Sequence, residues 1–159
     1  MNFYRDLGFL VFGSRLRRLS ELFLSDVNNI YKAHKIPFDA SWFPVFYLLS
    51  TEEEISIRKI SDELGISHSA ASQMVSSLQE KGYIKSTVSK KDARHKAVAF
   101  TVKGQKLLQK IQPVWKGLQT AMEELAGGQA ESKLVLTALA QIEDKLQEKT
   151  LFERIEDHL

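Results

Sequence analysis

Residues 57–82 read IRKISDELGISHSAASQMVSSLQEKG, and the spacing within this stretch decides the fold. Ile57, Ile60 and Leu64 recur at helical intervals behind Ser56, whose hydroxyl suits a helix N-cap. Gly65 follows where a chain leaving a helix swings into the left-handed region, which glycine enters without strain. Ile66 is a single apolar residue in the turn, and Ser67 is placed to cap a second helix over residues 68–81, stopped by Gly82. Ala71, Met74, Val75 and Leu78 mark the buried side of that helix. Ser69, Ser72, Gln73, Ser76 and Gln79 occupy the other side. A helix, a tight turn and a capped helix form a motif in which the first helix packs across the second and holds it proud of the surface.

Working outward, residues 83–88 and 97–101 read as two strands joined by the polar, basic tip at 89–96, a hairpin. Thr101 can cap a helix over residues 102–126 that Pro113 should kink, and Gly127-Gly128 breaks it. A last helix covers residues 130–149 or beyond, with apolar spacing continuing through Leu151, Phe152 and Ile155. Upstream, residues 55–57 can pair as a very short strand. A helix from Asp39 or Ser41 to Ser50 carries Pro44, which is tolerated only in a first turn and so favours Ser41 as the cap. Residues 3–35 read as one long helix with a wide apolar surface, ended at Ile36-Pro37. The expected fold is therefore mainly α with a small β-hairpin wing. A winged helix-turn-helix region at 39–104 is flanked by dimerisation helices at 1–36 and 111–159, all in one domain.

Charge is unevenly distributed. Residues 55–110 carry a net +7, against −1 for residues 1–54 and −4 for 111–159. A basic middle between neutral and acidic ends suits a polyanionic partner. The chain has no cysteine, which excludes disulfides, thiolate metal sites and thiol redox switches. The apolar N-terminal stretch is interrupted by Arg5, Asp6, Arg15, Arg17, Arg18 and Glu21, so no membrane span or signal peptide is expected, and the chain reads as cytoplasmic.

The exposed side of the second helix has the chemistry for reading DNA. Its width matches the major groove of B-DNA. Ser67, Ser69, Ser72 and Ser76 are short polar groups that approach bases and phosphates without desolvating a charge. Gln73 can pair bidentately with adenine. His68 and Ser69 lie at the helix N-terminus, where free N–H groups favour a phosphate. In the hairpin tip, Lys90, Lys91, Arg94, His95 and Lys96 cluster, and an arginine there suits the strong negative potential of a narrow minor groove. Asp92 is placed to orient Arg94.

Together these segments resemble the winged-helix domain of the multiple antibiotic resistance regulator (MarR) family. The matching residues are Ile60-Ser61-Asp62-Glu63-Leu64-Gly65-Ile66-Ser67, Leu78-Gln79-Glu80-Lys81-Gly82-Tyr83-Ile84, Asp92-Ala93-Arg94 and Phe100-Thr101-Val102-Lys103-Gly104. The Asp-x-Arg motif of the wing is the most specific of them. The resemblance implies a homodimeric transcriptional regulator, a repressor, that binds a palindromic operator in double-stranded DNA and is relieved by a small phenolic or aromatic ligand. The chain departs from the family pattern in two places. Lys85-Ser86-Thr87-Val88-Ser89 is nearly neutral, and Gln73 stands where many members have arginine. Both departures imply fewer phosphate contacts.

Dimerisation is also expected from the apolar residues at both ends. Phe3, Leu7, Leu10, Leu136, Leu139, Leu146, Leu151, Phe152 and Ile155 exceed what the winged region can cover. Trp42, Phe46, Tyr47 and Trp115 are candidate walls for an aromatic effector, with helix-spaced core as the competing reading. No cofactor or metal is expected, since His34, His68, His95 and His158 lie in four separate elements. No phosphate loop or nucleophile elbow is present. The alternatives to a DNA-binding regulator are a winged-helix dimer for protein interaction and a regulatory module like those fused to acetyltransferases.

Overall fold

The computed structural model describes residues 2–88 and 96–159, the side chains of Val88 and Lys96 excepted. The chain divides into two compact units, residues 1–114 and 115–159.

The first unit begins with α1 (Phe3–Asp6), a 3-10 turn at Gly8–Val11 and α2 (Phe12–Ala33). The single helix expected over residues 3–35 is thus interrupted. Gly8 takes the left-handed region at φ 53°, which a helix interior does not allow. The Asp6 side chain also accepts the Asn2 backbone N–H at 2.9 Å, closing a short turn on itself. At the other end α2 stops before Lys35 (φ 54°), and the Ile36 N–H returns to the Tyr31 carbonyl at 2.8 Å. Asp39 then caps a 3-10 turn at Ala40–Trp42 by accepting the Ser41 N–H, and α3 (Phe43–Thr51) carries Pro44 in its first turn. Asp39 rather than Ser41 is therefore the capping group.

Next come α4 (Ile57–Leu64), α5 (His68–Glu80), the antiparallel strands β1 (Ile84–Val88) and β2 (Lys96–Phe100), and α6 (Val102–Leu125). Ile84 pairs with Phe100 and Val88 with Lys96. The short strand expected at 55–57 is a single bridge, Ile55 to Val98, with reciprocal hydrogen bonds of 3.0 and 2.8 Å. The core gathers Val45, Phe46, Ile60, Val75, Leu78, Ile84, Val98 and Ile111, each at most 2% exposed. Aromatic rings tie it together: Phe46 lies 4.9 Å from Phe38 and 5.0 Å from Phe100, and Phe38 lies 5.0 Å from Tyr31. Edge-to-face and tilted geometries of this kind add to plain area burial.

The turn from β2 into α6 is unusually close. Thr101 caps α6, its Oγ1 accepting the Gly104 N–H at 3.1 Å and donating toward the Gly82 carbonyl at 2.7 Å. Gly104 lies so near the Tyr83 carbonyl that a Cβ would sit 2.0 Å from that oxygen. Any side chain there would force the Tyr83 carbonyl to move.

In the second unit α6 ends at Leu125, and Gly127 and Gly128 turn the chain at φ 101° and 113°. They lead into α7 (Gln129–Glu148) and α8 (Leu151–Glu156), neither of which has a buried residue. The pattern past residue 149 is a separate helix, because Thr150 and Glu153 form a reciprocal capping box that starts the chain afresh.

Candidate nucleic-acid interface

The placement of α5 follows from α4. The Ser56 side chain accepts the Lys59 N–H, satisfying one of the free donors at the start of α4. Lys59 also pairs with Glu52 from the acidic connector, and that partner raises its pKa above the ordinary lysine value. Ile60 is fully buried, and Ser61, also buried, donates to the Arg58 carbonyl at 2.7 Å. Gly65 ends the helix at φ 61°, and the Ile66 N–H returns to the Ser61 carbonyl at 3.1 Å. This turn redirects the chain so that Ser67 caps α5, its Oγ accepting the Ala70 N–H at 3.2 Å.

Helix α5 is divided as its spacing predicts. Ala71, Val75 and Leu78 are at most 2% exposed, and Met74 is half-buried. Ser67, His68, Ser69, Gln73 and Ser76 are exposed, and Ser72 is half-buried. The first two turns therefore present a neutral polar surface with free N–H groups at its leading end. Gln79 behaves differently. Its amide donates to the Ser86 hydroxyl at 2.8 Å, tying the far half of α5 to β1. A residue grouped with the exposed face by spacing alone is thus committed to holding the hairpin.

The hairpin root is equally anchored. The Tyr83 hydroxyl donates to the Pro37 carbonyl at 3.2 Å, and the Lys103 Nζ donates to the Lys81 carbonyl at 2.6 Å. Lys81 itself lies over the Trp42 ring at 5.1 Å. Sequence spacing carried no sign of these ties, since they join residues 22 to 46 positions apart. The tip residues Lys90, Lys91, Arg94 and His95 lie outside the described residues, as does the side chain of Lys96.

The candidate effector residues of the first unit differ in their exposure. Phe46 is fully buried among Phe38, Tyr83 and Phe100. Trp42 is half-buried beside Phe38, and Tyr47 is 51% exposed beside Phe43. Trp115 belongs to the second unit. Among the described residues no group of carboxylates, histidines and cysteines is arranged to hold a metal. No helix among them is long and apolar enough to cross a membrane.

Comparison with known proteins agrees with this architecture. A family model described as the MarR family matches residues 37–95. An uncharacterised HTH-type transcriptional regulator of Bacillus subtilis, YwaE, is 27% identical over 104 residues, 64% of this chain and 60% of that protein. The alignment thus spans less than two thirds of the relative's length. Among solved structures, a MarR/EmrR family transcriptional regulator from Acinetobacter superposes with a TM-score of 0.72 at 24% identity, covering 86% of this chain and 94% of that one. MepR of S. aureus, solved as a complex with DNA, superposes with a TM-score of 0.71 at 17% identity, covering 85% and 97%. At these identities the structural likeness establishes the fold.

Proposed function

We propose that this chain is a transcriptional regulator of the MarR family, whose model matches residues 37–95, and that it binds a palindromic DNA operator as a homodimer and acts as a repressor. The observation that carries this reading is the division of α5. Its inner side is locked in the core, while Ser67, His68, Ser69 and Gln73 stand exposed at its leading end. In the major groove Gln73 reads a base edge, and Ser67, His68, Ser69, Ser72 and Ser76 contact phosphates or bases. Lys90, Lys91, Arg94, His95 and Lys96 extend the contact into the neighbouring minor groove.

The dimer is supported by apolar side chains left in solvent. In the first unit Phe9 and Leu10 are 81% and 84% exposed; in the second, Leu134, Leu136, Leu151 and Phe152 are 62% exposed or more. A second copy covering segments 1–36 and 111–159 would remove them from water and repeat the winged region at 39–104. Two recognition helices roughly 34–36 Å apart then match successive turns of DNA. A small aromatic effector near Trp42 and Tyr47 would relieve repression by binding one spacing of those helices better than the other.

The test is a titration of labelled promoter DNA against a scrambled duplex of equal length, at about 50 mM and about 200 mM salt. Selective binding that weakens with salt supports the proposal. Equal affinity for both duplexes, or none at the lower salt, overturns it in favour of a protein-interaction dimer.

A further inference from the structure

A half-open groove of about 410 Å³ lies beside the root of the hairpin, between Tyr83 and the first turns of α6. Val102 and Leu107 give it apolar walls, and Lys103, Lys106 and Lys110 bring three ammonium groups to its edge. No carboxylate lines it, and neither Lys106 nor Lys110 forms an ion pair among the described residues. The three lysines share one side of α6 and spread over about 10 Å of its axis. Like charges at such spacing repel, so the arrangement carries a standing cost that a multivalent anion would remove. Lys103 is already fixed in place by its bond to the Lys81 carbonyl and its position 4.7 Å from the centre of the Tyr83 ring.

We propose that this groove binds a small organic phosphate with two or more negative charges. A single carboxylate engages one or two of the lysines; anionic groups on one molecule several ångströms apart engage all three. The apolar walls accept the organic part. Position argues against duplex DNA as the occupant. The groove adjoins the C-terminal end of α5, whose 13 residues place that end about 19 Å from the Ser67 end, the one presented to DNA.

The test uses the full chain without DNA, titrated calorimetrically at low salt with adenosine diphosphate, inorganic pyrophosphate and benzoate as probes. The proposal expects saturable binding of the first two and none of benzoate. Lys106→Glu with Lys110→Glu should weaken adenosine diphosphate binding at least tenfold, and Lys106→Ala alone should weaken it measurably. Both side chains are exposed, so thermal melting should remain within a few degrees of the parent protein. No saturable binding of either phosphate, or an unchanged affinity in the double variant, overturns the proposal. A parallel titration with promoter duplex separates the two readings. An unchanged DNA affinity in the double variant keeps the groove as a small-anion site, and a loss equal to that for adenosine diphosphate assigns the lysines to DNA and overturns it.

Discussion

Replacing Gly104 with alanine should destabilise the protein, although alanine is the better helix former. Both Gly104 and Gly117 lie inside α6, where glycine costs about 1 kcal/mol relative to alanine. Nothing lies within 4 Å of a Cβ at Gly117. At Gly104 the added carbon would meet the Tyr83 carbonyl oxygen at 2.0 Å and the Phe100 ring at 2.9 Å, where ordinary contact begins at 3.4 Å. The oxygen must therefore retreat by about 1.4 Å, the difference between those two figures. That carbonyl accepts the Thr101 N–H at 3.0 Å and faces Thr101 Oγ1 at 3.1 Å, so the retreat strains both bonds. Overpacking of about 1–3 kcal/mol and hydrogen bonds of about 1 kcal/mol each outweigh the gain in helix propensity. The expected net loss is about 2–4 kcal/mol, a fall in Tm of roughly 4–16 °C for a chain of this size. Gly117→Ala should instead raise Tm by roughly 2–4 °C. Urea and thermal unfolding followed by circular dichroism measure both. Shifts of the same sign in the two variants would refute the claim that the close approach at Tyr83 governs this position.

The remaining predictions concern the caps, the wing and pH. Ser67→Ala should cost about 1 kcal/mol by removing the N-cap of α5, read as a lower urea midpoint; an unchanged midpoint would mean the cap bond contributes nothing. Gln73→Ala should weaken binding to the promoter duplex by about 1–3 kcal/mol while leaving the scrambled duplex unaffected. Arg94→Ala should weaken binding to both duplexes and flatten the salt dependence, whereas a steeper salt dependence would contradict a phosphate or minor-groove role. The Glu153 carboxyl is held below the ordinary glutamate value by hydrogen bonds from Thr150. A depressed folded-state pKa contributes stability above the unfolded value, here 4.5, and loses it as pH falls through the folded value. The protection of α8 amides, relative to their intrinsic exchange rate at each pH, should therefore fall in acid, and Thr150→Ala should remove most of that dependence.

The parts of the fold readable in the sequence are those set by local chemistry. Ser56, Gly65, Ser67 and Thr101 act where their side chains or φ requirements place them, because caps and left-handed turns are decided within four residues. The burial of Ala71, Val75 and Leu78 follows from helical period alone. Gly8 was harder to read, since an isolated glycine in a helical pattern is tolerated as often as it breaks one. Asp39 and Ser41 are both good caps, and only the geometry of the 3-10 turn separates them. The bond from Gln79 to Ser86, the ring cluster around Phe46 and the steric need for Gly104 all join distant residues. Periodicity cannot reveal such pairs. The exposed side of α5 was legible as a surface, and its separation into a presented half and an anchored half was not.

The central claim is that the leading end of α5 meets DNA. Hydrogen exchange of the full chain, with and without promoter duplex, addresses it residue by residue. The account predicts slowed exchange in peptides covering residues 66–74, with little change around residues 103–110. Slowing confined to the second region, or none in the first at saturating duplex, would contradict it.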